Sequence, residues 1–581
     1  MASAADLMLR DGTLEFSGGA DSSRSPAFID SNQVASAVNA TFRGGKAASR
    51  PGWVRRLAAG TFPDARFQHA GFYDGSGYPM LMASIGGKIY AVNPLKWSVL
   101  DVTPDSGNSS RIERGWSAQA EMFWIYQDGQ SNPIIFNGSV ARRADPSANE
   151  VPIGQVMAYS QGRLVVSLSD GFTFRVGDLV FGPSGTTAYS YRDSVIKFTE
   201  TLYLNEGGDF RARIYGGPTN YGRIRAMVDT AVSDTSLGQG PLLIGCQDCV
   251  FTINLPFDRT TWKDLQTPLQ TVTPVRGPVS QDATLLVNQD IWYRGVDGIR
   301  SFLNAVRNFG QEYANTPMSR EVGPLLDDDD PELLGFSSAA LFGNRLLMTA
   351  SPCRDATMGV YHRALVILDF DLISNMRAKG LPAWEGPWTG MRILKVIGCK
   401  INGAERCFVW ALNVDDSIEL WELTADSRND ADGTDEYRVA WELDSKRYQF
   451  GDGFALKLLK GGQIFIDDAS GKVNLAVYYR PDSYPCWLSW QTYEFCAASK
   501  TCVLDTNGCP SPPDLKPQYR TKLRLPEPPD DFDELNGARL RTGYEFQVRV
   551  EVTGSCSIKQ FRLVAVPAPE SWKFDRTTAQ P

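Results

Sequence analysis

The segment Met80-Leu-Met-Ala-Ser-Ile85, Gly86-Gly87, Lys88-Ile-Tyr-Ala-Val92 sets the structural pattern of the chain. Two apolar runs separated by two glycines predict a β-hairpin, because glycine accepts the positive φ angles of a tight two-residue turn. From about residue 70 onward, short runs of apolar and aromatic residues alternate with turns rich in Gly, Asp, Asn and Ser. This alternation predicts antiparallel β structure.

Comparable strand-turn-strand units recur along the chain at irregular separations. They lie at 122–129, 157–168, 242–253, 291–302, 341–350 and 408–423. Small sheets repeated around an axis explain such a series, because a β-propeller covers its strand edges by repetition and tolerates insertions between strands. An array of β-sandwiches is the competing interpretation. The sequence therefore predicts an all-β fold: a β-propeller with irregular blades plus a smaller C-terminal β domain.

The length of 581 residues exceeds what one hydrophobic core usually organises, so more than one domain is expected. Residues 425–437 are rich in Asp, Asn and Gly and are typical of a linker. We expect an N-terminal arm and docking segment at 1–60, the propeller at 61–430, and a C-terminal β domain with a cysteine-containing insert at 431–581. The like-charge run Asp327–Asp330 predicts a solvated loop, and it lacks the ligand spacing of a calcium loop.

The formal net charge is −9, which disfavours adhesion of the whole molecule to nucleic acid or to an anionic membrane. No apolar run approaches the length that spans a bilayer, and the first residues lack the pattern of a secretion signal. These features predict a chain that is made in a cytoplasm and does not insert into a membrane.

Ten cysteines are too few for a disulfide scaffold of this length, so buried thiols are expected for most of them. The group Cys486, Cys496, Cys502 and Cys509 is the exception, because its spacing matches no common zinc site but allows local disulfides. The pair Cys246 and Cys249 joins two apolar runs, and a hairpin turn is the favoured interpretation.

The sequence offers little for catalysis. Its two histidines, His69 and His362, lie in no recognisable catalytic motif, so structural roles are expected. Arg43-Gly-Gly-Lys46 lacks the spacing and the hydroxyl residue of a phosphate-binding loop. No repeated sialidase box is present. We predict no enzyme activity, no catalytic or metal-binding residues and no cofactor; a carbohydrate-active propeller is the enzymatic alternative.

The most specific text is Phe16-Ser-Gly-Gly19, Ala37-Val-Asn-Ala-Thr-Phe-Arg-Gly-Gly45 and Arg50-Pro-Gly-Trp53. It resembles the N-termini of bacteriophage tail-nozzle, tail tubular and DNA-stabilisation proteins. Scattered similarity continues through 274–301 and 471–490. The resemblance implies a β-propeller virion protein at the head-to-tail junction, although the cysteine insert and the segment 510–529 depart from the pattern.

The resemblance implies a structural component of a phage tail or head-to-tail complex, forming a homo-oligomeric ring, with a hexamer as one option. Its partners would be other tail or connector proteins, and genomic DNA would pass through the ring without sequence-specific binding. An arm on a neighbouring subunit would use Arg43, Arg50, Pro51 and Trp53 as candidate anchors. The alternative is an ordinary β segment whose glycines and Pro51 set turns. A propeller that binds host glycans is the alternative function.

Overall fold

The computed structural model describes residues 8–75, 77–180, 193–199, 209–211, 222–230, 240–253, 269–273, 276–302, 317–373, 382–425, 427–496, 521–533 and 538–569. These residues form β-strands and turns, with one four-residue helix, α1 (Gly323–Leu326). Short 3-10 segments lie at Arg43–Gly45, Pro146–Ala148, Ser194–Ile196, Arg320–Val322 and Leu334–Phe336. The prediction of an all-β fold is confirmed.

The first strands lie before the main series of sheets. They are β1 (Leu9–Thr13), β2 (Gly19–Ala20), β3 (Gln33–Val38), β4 (Ala40–Thr41), β5 (Ala47–Ser49) and β6 (Gly52–Leu57).

Five small antiparallel sheets follow in chain order, each built from consecutive strands. The first contains β7 (Phe67–Tyr73), β8 (Met80–Ile85), β9 (Lys88–Asn93) and β10 (Ser98–Asp101); the second contains β11 (Trp116–Ala120), β12 (Phe123–Gln127), β13 (Ile134–Phe136) and β14 (Ala141–Arg143). The third contains β15 (Gly154–Ser160), β16 (Arg163–Leu168), β17 (Thr173–Val176) and β18 (Asp209–Arg211); the fourth contains β19 (Ile224–Asp229), β20 (Leu242–Cys246), β21 (Val250–Ile253) and β22 (Leu269–Thr273). The fifth contains β23 (Thr284–Val287), β24 (Asp290–Gly295) and β25 (Gly298–Ser301).

Turn chemistry explains these hairpins. Gly86 and Gly87 have φ of 60° and 86°, and Ile85 pairs directly with Lys88. Positive φ at both central residues matches the right-handed twist of the flanking strands. The hairpin predicted from this stretch is confirmed.

A larger sheet continues the series. It contains β26 (Ala339–Phe342), β27 (Arg345–Asp355), β28 (Gly359–Ile373), β29 (Pro382–Ile401), β30 (Ala404–Leu412), β31 (Ile418–Thr424), β32 (Asn429–Ala431) and β33 (Glu436–Arg438). The 20-residue β29 belongs to two units, because its first half pairs with β28 and its second half with β30. Gly390, with φ of 105°, lies between the two halves.

The sheets close into a ring. The first strands contact one another in the order β7, β11, β15, β19, β23 and β26; β26 contacts β29, and β29 contacts β7. In the described residues this order makes seven blades, of which the sixth is β26, β27, β28 and the first half of β29. The seventh is the second half of β29, β30, β31 and β6. The N-terminal strand β6 thus completes the last blade by pairing antiparallel with β31.

A second sheet forms the C-terminal domain. Its strands and neighbours are β34 (Ala440–Ser445), β35 (Lys457–Pro481), β36 (Leu488–Cys496), β37 (Thr521–Leu525), β38 (Phe532–Asp533), β39 (Ala538–Arg539), β40 (Thr542–Gly543) and β41 (Phe546–Pro567). The long strands β35 and β41 pair antiparallel along their length, and β38 pairs with β39 alone. Trp441, Leu475 and Val550 are in its core. The predicted propeller with a smaller C-terminal β domain is what the sheet order shows.

The N-terminal residues, expected as an arm and docking segment at 1–60, pair with strands of their own chain. Strand β1 pairs with β41, β3 with β34, and β5 with β41, while Phe16 and Phe42 are fully buried in the C-terminal core. The segment is therefore integrated into the sheet of its own chain, and its docking on a neighbouring subunit stays a prediction. The reason is apolar burial: these aromatic rings complete a core that the C-terminal strands leave open.

Strand pairing extends the propeller sheet past the linker region. Strands β32 and β33 pair with each other beside β6, so this sheet continues to Arg438. The C-terminal domain comprises residues 8–49 together with 440–569 as described, and the propeller runs from Gly52 to Arg438.

Closure by β6 makes a stability prediction. Trp53 is 2% exposed and packs against Val409 and Leu423 in the seventh blade. Trp53→Ala is expected to lower the free energy of unfolding of the propeller by about 3–5 kcal/mol, because it leaves a cavity in a closed core. Guanidinium unfolding followed by tryptophan fluorescence measures this.

Trp487→Ala is the matched control, since Trp487 is only partly buried and lies between the guanidinium groups of Arg480 and Arg549. Its expected cost is about 1 kcal/mol. Equal unfolding midpoints for the Trp53 variant and the wild-type protein would contradict a closing role for β6.

Candidate functional site

The segment Asn39–Trp53 lies between the propeller and the C-terminal domain. Asn39 has φ of 55° and contacts both: its Oδ1 accepts from the Thr389 backbone N–H at 2.7 Å, and its Nδ2 donates to the Ala440 carbonyl at 3.1 Å. Trp388 donates its indole N–H to the Ala40 carbonyl at 3.0 Å. We call this segment the seam. Its side-chain and backbone groups are bonded to β29 of the propeller on one side and to β34 of the C-terminal domain on the other.

A buried cluster of charges lies under this segment. Arg345, the first residue of β27, places its Nε 3.1 Å from Glu385 Oε2 and 3.1 Å from Asp369 Oδ2. Thr41 donates its hydroxyl to Glu385 at 2.5 Å, and Arg43 Nε lies 2.6 Å from Asp369. The two carboxylates are fully buried. Three propeller strands and the N-terminal segment thus meet in one ionic network.

The two carboxylates respond differently to this environment. Burial raises the pKa of Glu385 to about 7, with the Asp369 charge acting in the same direction and Arg345 opposing it. Burial alone would also raise the pKa of Asp369, but the hydrogen bond from Arg43 and the charge of Arg345 lower it below its ordinary value. Glu385 is therefore the group of the network that exchanges a proton near neutral pH.

The network forms one wall of a cavity of ≈ 380 Å³ at the domain junction. Its lining comprises Thr41, Arg43, Gly44, Lys46, Ala48, Pro51, Phe342, Gly343, Arg345, Ala425, Arg428, Asp468 and Ser557. Lys46 Nζ lies 2.9 Å from both Asp467 and Asp468. Arg428 donates to the Ser49 carbonyl. We call this cavity the junction cleft.

The four candidate anchors lie at this seam. Arg43 and Pro51 line the junction cleft, whereas Arg50 is buried and forms a bidentate pair with Asp430 at 2.8 Å per bond. Trp53 is buried, and its backbone N–H donates to Asp430. Contacts within the chain occupy these side chains, and a role at a subunit interface stays a prediction.

The cysteines are placed in part. Cys486 is exposed; the side chain of Cys496 and all of Cys502 and Cys509 lie outside the described residues. Cys246 and Cys249 are buried at the β20–β21 turn, where the Cys246 N–H donates to the Cys249 carbonyl at 2.8 Å. Burial raises the pKa of Cys246 to about 12 and that of Cys249 to about 11. The hairpin interpretation of this pair is confirmed, and both thiols stay protonated at neutral pH.

A second polar cluster bridges the centre of the propeller. His69 Nε2 lies 2.8 Å from Ser117 Oγ, and His69 Nδ1 lies 3.2 Å from Lys395 Nζ. Lys395 in turn lies 2.7 Å from Asp282, which precedes the fifth blade. Arg114, which precedes the second blade, donates its Nη2 to Ser280 Oγ at 2.9 Å, and Ser280 also precedes the fifth blade. Side chains from opposite blades therefore meet across the propeller axis.

Nδ1 of His69 has two neighbours of opposite charge: Lys395 Nζ at 3.2 Å and Asp282 Oδ2 at 3.7 Å. An ammonium group only donates, so a hydrogen bond from Lys395 makes Nδ1 an acceptor and leaves the ring proton on Nε2. Nε2 then donates to Ser117, which is the reverse of what a general base does. Burial and the charge of Lys395 lower the pKa of His69 to about 3.

The other residues singled out in the sequence are His362 and the run Asp327–Asp330. Burial lowers the pKa of His362 to about 4. Asp329 departs from the solvated loop expected for Asp327–Asp330: it is buried and pairs with Arg294 at 3.0 Å. A buried arginine needs a counter-charge, and this carboxylate supplies it. Asp327, Asp328 and Asp330 are exposed, as expected.

The described part of the chain contains no group of three or more His, Cys, Asp or Glu side chains arranged to hold a metal ion. Among the same residues, no helix has the length and apolar character needed to cross a membrane.

Comparisons with known proteins do not assign the chain to a family. No family model matches the chain, and no curated protein is significantly similar to it. The computationally designed Ika8 protein matches at 11% identity and a TM-score of 0.33, over 64% of this chain and 100% of that one. The Cps50 (Swd1) β-propeller domain of Myceliophteria thermophila matches at 12% identity and 0.32, over 62% and 98%. These scores carry no argument, so the propeller rests on the strand pairing described above.

Glu385 predicts a pH-dependent contribution to stability. Its folded pKa lies above the ordinary value of 4.5, so its stabilising contribution is complete at low pH and is lost as the pH rises through about 7. Glu385→Gln resembles the protonated carboxyl and is expected to gain stability relative to the wild-type protein between about pH 5 and about pH 8. Thermal unfolding across this range measures the difference.

Glu436→Gln is the control, because it removes an exposed carboxylate from β33 and corrects for the loss of one charge. A constant difference between the Glu385 variant and the wild-type protein across the pH range would contradict the assignment.

The two histidines allow a direct test of the central cluster. Histidine-selective isotope labelling gives one ring signal for each of His69 and His362, and neither is expected to titrate above about pH 5.5 because burial lowers both pKa values. Lys395→Met removes a repelling charge and is expected to raise the pKa of His69 alone. His362 serves as the internal reference. A wild-type His69 signal with a midpoint near its ordinary pKa of 6.5 would disprove this arrangement.

Proposed function

We propose that the protein is a non-enzymatic structural component of a phage tail or head-to-tail complex. In this proposal several copies assemble in a ring around the DNA channel and help to retain or conduct DNA. The assembled ring belongs to the virion and contacts other tail or connector proteins.

The observation that carries the proposal is the position of the segment Asn39–Trp53. This segment carries the resemblance to tail-nozzle and DNA-stabilisation proteins, and it occupies the seam where the propeller and the C-terminal domain meet. Its buried ion pairs and backbone bonds hold two β domains in one fixed arrangement. A stiff body of this kind suits a subunit that passes load between neighbours in a particle.

The central cluster constrains where DNA would pass. Contacts such as Lys395 to Asp282 and Arg114 to Ser280 bridge the propeller axis, so we place the channel between copies of the chain. The net charge of −9 supports passage of DNA without adhesion, since like charges repel.

Ring assembly is tested by the native mass of the purified protein and by protein analysis of purified particles. We expect a discrete multiple of the 64.1 kDa chain, ring-shaped views by negative-stain microscopy, and the chain itself in the particles. A protein that stays monomeric at high concentration and is absent from purified particles would refute the proposal. Glycan-array binding by the monomer would instead favour a peripheral host-recognition role.

A further inference from the structure

We propose that the junction cleft is a binding site for a phosphoryl or sulfuryl oxyanion. The cleft has a volume of ≈ 380 Å³, which is ample for one tetrahedral anion with its waters. Four of its lining residues are cations, Arg43, Lys46, Arg345 and Arg428, and one is a carboxylate, Asp468. The proposal is independent of ring assembly, because the cleft lies within one chain.

The carboxylates that balance these cations lie at different depths. Asp369 and Glu385 are fully buried beneath Arg43 and Arg345, and the side chain of Asp467 is 8% exposed. The side chains of Arg43 and Lys46 are 32% and 30% exposed, so their charged ends border the open space. Two further carboxylates, Asp371 and Asp468, are 50% and 51% exposed and contact Arg43 and Lys46, so an incoming anion binds at the donors that these carboxylates leave, Nη1 of Arg43 and the guanidinium group of Arg428.

Two guanidinium groups keep donors available in the cleft. Arg428 is exposed at the cleft, and within the described residues its Nη1 donates to the Ser49 carbonyl. Desolvation and the charge of Arg345 lower the pKa of Arg428, and the charges of Glu385 and Asp468 oppose this shift. Arg43 uses its Nε and Nη2 on Asp369, Asp371 and the Gly343 carbonyl. Planar guanidinium groups with spare N–H donors fit tetrahedral oxyanions.

Proton uptake by Glu385 is coupled to anion binding in the junction cleft. Glu385 faces Arg345 from β27, Asp369 from β28, Thr41 and Arg43 from the N-terminal segment, and Arg428 from the bend that precedes β32. Protonation of Glu385 removes a negative charge that competes with the ligand for these cations. Anion affinity therefore rises as the pH falls through neutrality, by the reciprocity of linked equilibria.

Calorimetric titration of the full-length protein with sulfate and with inorganic phosphate at low ionic strength tests the site. We expect one saturable site per chain, and at least about tenfold weaker binding for Arg428→Gln, because this variant loses a charge-assisted hydrogen bond to the anion. Arg354→Gln is the control, because Arg354 pairs with Glu113 at an exposed position outside the cleft. Absence of saturable binding, or equal losses in the two variants, would overturn the proposal.

Sulfate is the probe for the pH dependence because its own charge is constant near neutral pH. Tighter sulfate binding at about pH 6 than at about pH 8 is expected for the wild-type protein and not for Glu385→Gln. The same pH dependence in both proteins would disprove the coupling to Glu385.

A competition arm distinguishes the sources of the anion. Displacement of sulfate by a short single-stranded oligonucleotide identifies a nucleic-acid phosphodiester as the ligand. Sulfate binding that is unaffected by the oligonucleotide, but displaced by inorganic phosphate, identifies a free phosphate group.

Discussion

The pairing of β6 with β31 is the constraint on which the rest of the structure depends. A ring of sheets made from a linear chain leaves one blade without an outer strand unless the two ends of the ring meet, and an unpaired edge exposes backbone groups. Here the chain supplies β6 before the first blade and returns to it after the seventh. This closure fixes the path of everything upstream, because residues 8–49 must then leave the propeller on the side of its last two blades.

The position of the seam follows from that path. The seam in turn explains why Arg345 and its carboxylate partners are buried there. Arg345 follows a two-residue turn whose Gly343 and Asn344 have positive φ, so its side chain enters the interior at the start of β27. A buried guanidinium is costly without partners, and Asp369, Glu385 and Thr41 provide them. Burial, together with the nearby charge of Asp369, keeps the pKa of Glu385 high. A network needed for folding thereby contains a group that responds to pH.

The sequence predicted what depends on local patterns. Hairpins such as 80–92 follow from glycine pairs between apolar runs, and the repetition of hairpins predicted a propeller. The seam depended on pairing between residues more than 300 positions apart, such as Thr41 with Glu385, which no local pattern encodes. One local signal existed: Trp384-Glu385-Gly-Pro-Trp388 places a lone charge between two buried tryptophans. A charge in such surroundings requires a partner, although the pattern does not identify it.

Contacts within the chain explain the sequence motifs that carry the resemblance. Gly44 and Gly45 have φ of 74° and 71°, Arg43 pairs with Asp369, and Arg50 pairs with Asp430 beside the closing strand. Each residue type is required by the joining of two domains within one chain, so the resemblance concerns architecture before it concerns contact with a partner. Within the chain the four candidate anchors help to fix the angle between the domains, and their role between subunits of the proposed ring stays a prediction. Constancy of that angle is what allows identical copies to close a ring instead of extending as an open helix.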